Sequence, residues 1–130
     1  MGITPKAGEE EIQVGIDLVE VGRVQRLIEK WGERFKRRVF TDGEIAFSET
    51  LKNKYQSYAS RFCAKEALLK AIGTGLSHGV RWKDMEVVDD GRRKPSFSLE
   101  GRVAELVGER RVTLSLSHTS EYATAIVILS

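Results

Sequence analysis

Apolar positions recur at two different spacings along this chain, and the changes of spacing mark its elements. Over residues 12–19 they alternate. Ile12, Val14, Ile16 and Leu18 share one face of a predicted strand, and Gln13, Gly15 and Asp17 share the other. Over residues 20–31 the spacing turns helical, with Val24, Leu27, Ile28 and Trp31 as the core stripe. Arg23, Arg26 and Lys30 form a second, cationic stripe on the same helix. Gly32 breaks or kinks the run before residues 35–40. Thr41-Asp42-Gly43-Glu44 has the Thr-x-x-Glu form of a capping box, which starts a short helix carrying Ile45, Phe47 and Leu51. After a polar joint at residues 52–54, one long helix runs over 55–72, and Gly73 stands just past its end.

The second half alternates faster. Residues 73–79 form a glycine-rich loop. Strands over 85–88 and 96–99 flank a turn at 89–91. A short helix over 101–109 turns Val103, Leu106 and Val107 inward. Val112, Leu114 and Leu116 then alternate with Thr113, Ser115 and Ser117, and His118-Thr119-Ser120 makes a turn. Residues 122–129 are almost wholly apolar or small, as in a central strand. Strand, helices, two strands, helix, two strands describes an α+β single domain with a largely antiparallel sheet packed against helices. Residues 1–11 read as a loose tail and 12–130 as the domain.

Composition narrows the function. The 130 residues suit one core. No apolar run approaches the ~18 residues of a membrane span, and residues 1–11 lack the basic and apolar regions of a signal peptide. The single Cys63 excludes an internal disulfide and a thiolate zinc cluster within one chain. These features fit a cytoplasmic protein that binds no membrane. Net charge is only +2, yet Arg23, Arg26, Lys30, Arg34, Lys36, Arg37 and Arg38 crowd one stretch, opposed by Glu29 and Glu33. Such a face attracts an acidic partner. The mixed-charge surface and low net charge weigh against nucleic acid.

The long helix is apolar nearly all round, which buries most of it. Glu66 and Lys70, four residues apart, share a face with Ala59, Phe62, Cys63, Ala67 and Leu69. Taken alone they form a surface ion pair worth about 0.2–0.5 kcal/mol. Asp17, near a strand end, adds a second carboxylate. An Asp and a Glu without His or Cys clusters suit a hard cation such as Mg²⁺, which binds through one or two carboxylates together with substrate phosphates. Lys70 adds positive charge for a phosphate. His118 lies in a hydroxyl-rich turn.

Gly15-Ile16-Asp17-Leu18-Val19-Glu20 and the stretch from Arg61-Phe62-Cys63-Ala64-Lys65-Glu66 through Lys70 to Gly73-Thr74-Gly75 resemble the two signature motifs of holo-[acyl-carrier-protein] synthase. This is the small bacterial class of 4'-phosphopantetheinyl transferase. The resemblance extends through residues 81–87 and 115–119. It implies Mg²⁺-dependent transfer of 4'-phosphopantetheine from coenzyme A to a serine of apo acyl carrier protein, releasing adenosine 3',5'-bisphosphate and supporting fatty acid biosynthesis. By this match Asp17 and Glu66 hold the metal, and Lys70 serves the phosphates or proton transfer. Gly73, Thr74, Gly75, Ser117, His118 and Thr119 lie along coenzyme A, with Arg61 a candidate phosphate contact. Arg23, Arg26 and Lys30 dock the acidic carrier. A homotrimer with sites between subunits is implied as well. The acceptors for the serine proton are Glu66, Lys70 or a metal-bound water. Gly22, where Asp is common, Cys63, where Ala is usual, and Arg93, where Gly is usual, depart from the pattern.

Two rivals use part of the same features. A non-catalytic module could grip an acidic partner with the cationic stripe, but that leaves Asp17 and Glu66 without a task. Another Mg²⁺-dependent phosphoryl enzyme, such as a phosphatase, explains the carboxylates but not the stripe.

Overall fold

The computed structural model describes residues 11–89 and 94–130. Residues 1–10 of the expected tail over 1–11, most of the turn at 89–91 and the Arg93 departure lie outside the described residues. β1 (Gln13–Glu20) leads directly into α1 (Val21–Trp31), α2 (Glu33–Val39), α3 (Asp42–Glu49) and the 19-residue α4 (Lys54–Ile72). A single 3₁₀ turn (Trp82–Asp84) precedes β2 (Met85–Val88) and β3 (Ser96–Leu99). α5 (Gly101–Val107), β4 (Val112–His118) and β5 (Tyr122–Leu129) complete the order. The pairing is antiparallel throughout, but it forms two sheets rather than one: β1-β5-β4, and the β2-β3 hairpin. β5 is the central strand of the larger sheet.

Register fixes the two faces of that sheet. Asp17 stands opposite Ala125, and Ala125 opposite Leu116. Val19 stands opposite Ala123, and Ala123 opposite His118. These residues, with Gly15, Val127 and Leu114, make the inner face. α4 packs on it, chiefly over β1 and β5. The helix comes very close: a Cβ on Gly15 would sit 1.9 Å from the Ala67 carbonyl oxygen and 2.6 Å from the Ala71 nitrogen. Gly15 therefore serves helix–strand contact, and only a residue without a side chain fits there.

The outer face is the unexpected one. Ile12, Val14, Ile16 and Leu18 are between 54% and 66% exposed, with Tyr122 and Ile126 of β5 partly exposed beside them. The apolar alternation of β1 thus marks its outward side. Antiparallel sheets ordinarily turn polar residues to water there.

The helices follow their local signals, with two departures. Thr41 caps α3 through a complete capping box with Glu44. Gly73 ends α4 in a left-handed conformation, φ 92°, its N–H donating to the Leu69 carbonyl. Trp31, assigned to the core stripe, is instead 48% exposed. It is the last residue of α1, and the chain turns at Gly32 into α2, leaving the ring only half covered, with Lys30 Nζ 5.1 Å from its centroid. α3 ends at Glu49, so Leu51 lies beyond it, and the buried residues of α3 are Glu44 and Ser48 rather than the apolar ones.

A buried polar network under α3 centres on Lys65 and Glu44. Lys65 on α4 is completely buried; its Nζ donates to Glu44 Oε1 at 2.6 Å and to the Val39 carbonyl at 2.7 Å. Glu44 also accepts from the Thr41 and Val87 backbone N–H groups, each at 2.9 Å. Ser48 and Ser57 share a hydrogen bond of 2.8 Å. One lysine thereby ties α4 to the end of α2, the start of α3 and strand β2. Nothing in the periodicity of α4 distinguishes Lys65 for this task. Its partner is 21 residues away.

Candidate active site

Asp17, Glu66 and Lys70 converge where β1 passes under the last turns of α4. Alternation places Asp17 on the inner face of β1, and the Gly15 contact lets the helix approach closely enough for Lys70 to reach it. Lys70 Nζ donates to Asp17 Oδ1 at 2.8 Å and to the Ile16 carbonyl at 3.2 Å. Burial raises the pKa of the Glu66 carboxyl, and the nearby Asp17 charge raises it further against the opposing charges of Lys70 and Arg23. The hydrogen bond to Asp17 holds the Lys70 ammonium above its ordinary value. Cys63, in the same cluster, is buried, and its thiol is pushed up to about 12 by burial and then by the Asp17 charge. It is a protonated filler rather than a nucleophile.

A carboxyl whose proton affinity is raised by burial and by a neighbouring carboxylate makes, with that neighbour, a seat for a cation. Among the described residues no cluster of three or more His, Cys, Asp or Glu side chains is set to hold an ion by itself. The donor set therefore fits a hard cation that takes its remaining oxygen ligands from phosphate and water.

A second cluster lies on the other side of α4. Arg61 and His118 line a cavity of about 480 Å³ with Phe47, Lys52, Ser57 and Pro95. Arg61 is buried; its Nη1 donates to Ser57 Oγ at 2.8 Å, and its guanidinium lies 4.7 Å from the Phe47 ring centroid. Its Nε, also buried, has no hydrogen-bond partner among the described residues. Burial lowers the Arg61 pKa, opposed by the charges of Glu44 and Asp89. A buried guanidinium with an orphan donor suits a bound anion, because an unmade hydrogen bond there is costly.

The remaining candidates are dispersed. Ser117, opposite Thr124, is on the outer sheet face and exposed. Thr119 Oγ1 accepts from the Glu121 and Tyr122 backbone N–H groups and so shapes its own turn. Gly73, Thr74 and Gly75 continue from α4 just beyond Lys70, with Gly75 at φ 57°. Arg23, Arg26 and Lys30 are all exposed along α1. Arg23 is close enough to Glu66 for its charge to lower the Glu66 pKa. Beside this stripe, Leu27, Trp31, Arg34, Phe35 and Arg38 enclose a hollow of about 330 Å³. Gly22 leaves room for Arg26, whose Nη1 would lie 3.3 Å from a Cβ at that position.

Residues 13–127 match the family described as ACPS, 4'-phosphopantetheinyl transferase superfamily. The chain is 49% identical over 121 residues to the holo-[acyl-carrier-protein] synthase of Solibacter usitatus, covering 91% of this chain and 97% of that protein. It is also similar to a Bacillus anthracis holo-(acyl-carrier-protein) synthase solved in complex with CoA (3',5'-ADP), with a TM-score of 0.76 and 36% identity over 90% of this chain and 94% of that one. A Chronobacterium ammoniagenes ACPS-CoA complex superposes with a TM-score of 0.81 at 28% identity, covering 93% and 98% of the two chains.

Proposed function

Since this chain belongs to the 4'-phosphopantetheinyl transferase superfamily and is a holo-[acyl-carrier-protein] synthase, we infer how its own residues divide the transfer of 4'-phosphopantetheine from coenzyme A to acyl carrier protein. The observation that carries the reading is the convergence of Asp17, Glu66 and Lys70 across β1 and α4. Asp17 and Glu66 would hold Mg²⁺. When bound, the ion supplies charge neutralisation at the transferring phosphate and its leaving group. Lys70, more than half exposed yet anchored at Asp17, adds a cation on a flexible stem for the phosphates. Arg61 and His118 receive the adenosine bisphosphate end of coenzyme A, with the Arg61 Nε donor directed to its phosphate. Gly73, Thr74 and Gly75 border the pyrophosphate, where bare backbone permits close approach. Ser117 and Thr119 flank His118 at the nucleotide.

The exposed stripe of Arg23, Arg26 and Lys30 docks the acidic carrier, with Arg23 at the end nearest Glu66. The apolar hollow beside it receives an apolar side chain of the same partner. Trimer formation is supported by two features. The apolar outer face of the sheet needs cover. The two clusters also stand apart within one chain: His118 is two strands over and two residues along from Asp17, about 12 Å, and Arg61 and Glu66 project about 140° apart around α4. Pairing the cavity of one copy with the carboxylates of another completes a site. No helix among the described residues is long and apolar enough to cross a membrane.

The test uses apo acyl carrier protein, coenzyme A and Mg²⁺, with the carrier weighed by mass spectrometry. Wild type adds one phosphopantetheine, whereas Glu66→Gln, folded to the same Tm, loses on the order of 10²–10³ in rate. Equal rates for the two would overturn the assignment.

A further inference from the structure

The cationic surface does not end with α1. A second cleft, of about 410 Å³, opens where the end of α2 meets the chain after the glycine loop. Four cations, Arg37, Arg38, Arg81 and Lys83, surround Leu76 and Trp82 in its wall, and no acid among the described residues lines it. Arg37 is braced by Glu33 at 3.4 Å and Asp42 at 3.6 Å. Arg38, Arg81 and Lys83 form no side-chain ion pair among the described residues.

This cleft is continuous with the α1 surface. Arg38 lines both the cleft and the hollow formed by Leu27, Trp31 and Phe35. Underneath, Phe62 joins the two: its ring stacks on Trp82 at 5.2 Å and lies 6.4 Å from Phe35. Phe62 is one helical turn before Glu66 on α4, so the cleft flanks the turn that leads to the carboxylates.

The arrangement selects its occupant. A free phosphate would use the cations and gain nothing from Leu76, which is largely exposed, or from Trp82. An acidic amphipathic helix uses both, seating an apolar side chain between carboxylates that face the four cations. We propose that this cleft is a second docking contact for the acidic carrier protein, engaging an acidic segment distinct from the one gripped by Arg23, Arg26 and Lys30. The proposal rests on the carrier-docking reading of α1 and extends it to a surface that sets carrier preference.

Arg81→Glu/Lys83→Glu in the full chain tests it, with steady-state transfer to apo carrier at several salt concentrations. The KM for the carrier rises about tenfold and the dependence of kcat/KM on salt flattens, because rim charges act on encounter and on salt sensitivity. The KM for coenzyme A holds. If the double variant unfolds, Arg81→Gln and Lys83→Gln singly, each at the wild-type Tm, take its place, with a rise of about two- to threefold and the same flattening. An unchanged carrier KM, with wild type transferring normally, overturns the cleft's role and leaves the α1 reading standing. A wild type that transfers nothing to the carrier overturns both. Weaker binding of the variant to anionic vesicles or to an RNA oligonucleotide, with carrier KM unmoved, also refutes the proposal.

Discussion

Lys65 and Lys70 stand on one helix, five residues apart, and each meets a carboxylate across the fold. Lys65 is completely buried against Glu44, while Lys70 is 55% exposed on Asp17. The buried pair is closed: Glu44 also accepts two backbone N–H groups, and Lys65 also donates to a carbonyl. The exposed pair is open, with Glu66 beside it and solvent above. A desolvated ion pair tied in by further backbone hydrogen bonds tolerates no vacancy, so it suits architecture. An ion pair open to solvent can exchange its partner for a phosphate at little cost. The same lysine–carboxylate contact thus stands in two settings, one closed and one open, and burial separates them.

Substitution at each lysine should separate rate from stability. Lys70→Met is expected to lower kcat by on the order of 10²–10³. Its unfolding free energy should stay within about 1 kcal/mol of wild type. Paired kinetics and urea unfolding measure both, and a large stability loss would erase the distinction. Lys65→Met is expected to do the reverse. It leaves Glu44 charged and buried, which costs about 3–5 kcal/mol; adding Glu44→Gln should recover part of that in a double-mutant cycle. Lys65→Met with wild-type Cm would show that the buried pair holds nothing.

Between the two lysines lies the contact that brings β1 to α4. Gly15→Ala is expected to cost about 1–3 kcal/mol by overpacking, since the new Cβ would collide with helix backbone at 1.9 Å. It should also weaken turnover by moving Asp17 from Lys70, which distinguishes it from Lys65→Met.

The smallest effect is expected at Glu49. The Tyr58 hydroxyl bonds it at 2.6 Å and Lys36 at 3.0 Å. These contacts, the Tyr58 hydrogen bond first, hold its carboxyl below the usual carboxylate range. A depressed folded pKa adds stability above the unfolded value, and that stability is lost as pH falls through the folded one. Between about pH 5 and the acid limb, Cm should therefore fall less steeply for Glu49→Gln than for wild type. Identical slopes would remove Glu49 from the acid response.

Much of this was legible from local signals. The Thr41–Glu44 capping box, the Gly73 terminus and the helical run of α4 each depend on residues within a few positions of one another. The central place of β5 could be read from its unbroken apolar run, because a strand with neighbours on both sides has no polar edge to present. Asp17, Glu66 and Lys70 could be singled out from the motifs that hold them, but that Lys70 reaches Asp17 across the fold is not in the periodicity.

What only the tertiary structure decided concerns direction and long-range pairing. Alternation in β1 distinguished two faces but not which one meets α4. The answer is the face with Gly15 and Asp17, because a helix this close admits glycine and excludes isoleucine. The apolar face is consequently turned outward. Trp31 is exposed because the chain turns away at Gly32, which a helical wheel does not contain. Lys65 is a staple because Glu44 and the Val39 carbonyl arrive from elsewhere. Arg38, Arg81 and Lys83 become one basic cleft only when α2 and the segment after the glycine loop fold side by side. Periodicity and caps act over a turn or two of chain, whereas burial and charge pairing depend on which distant segments are brought together.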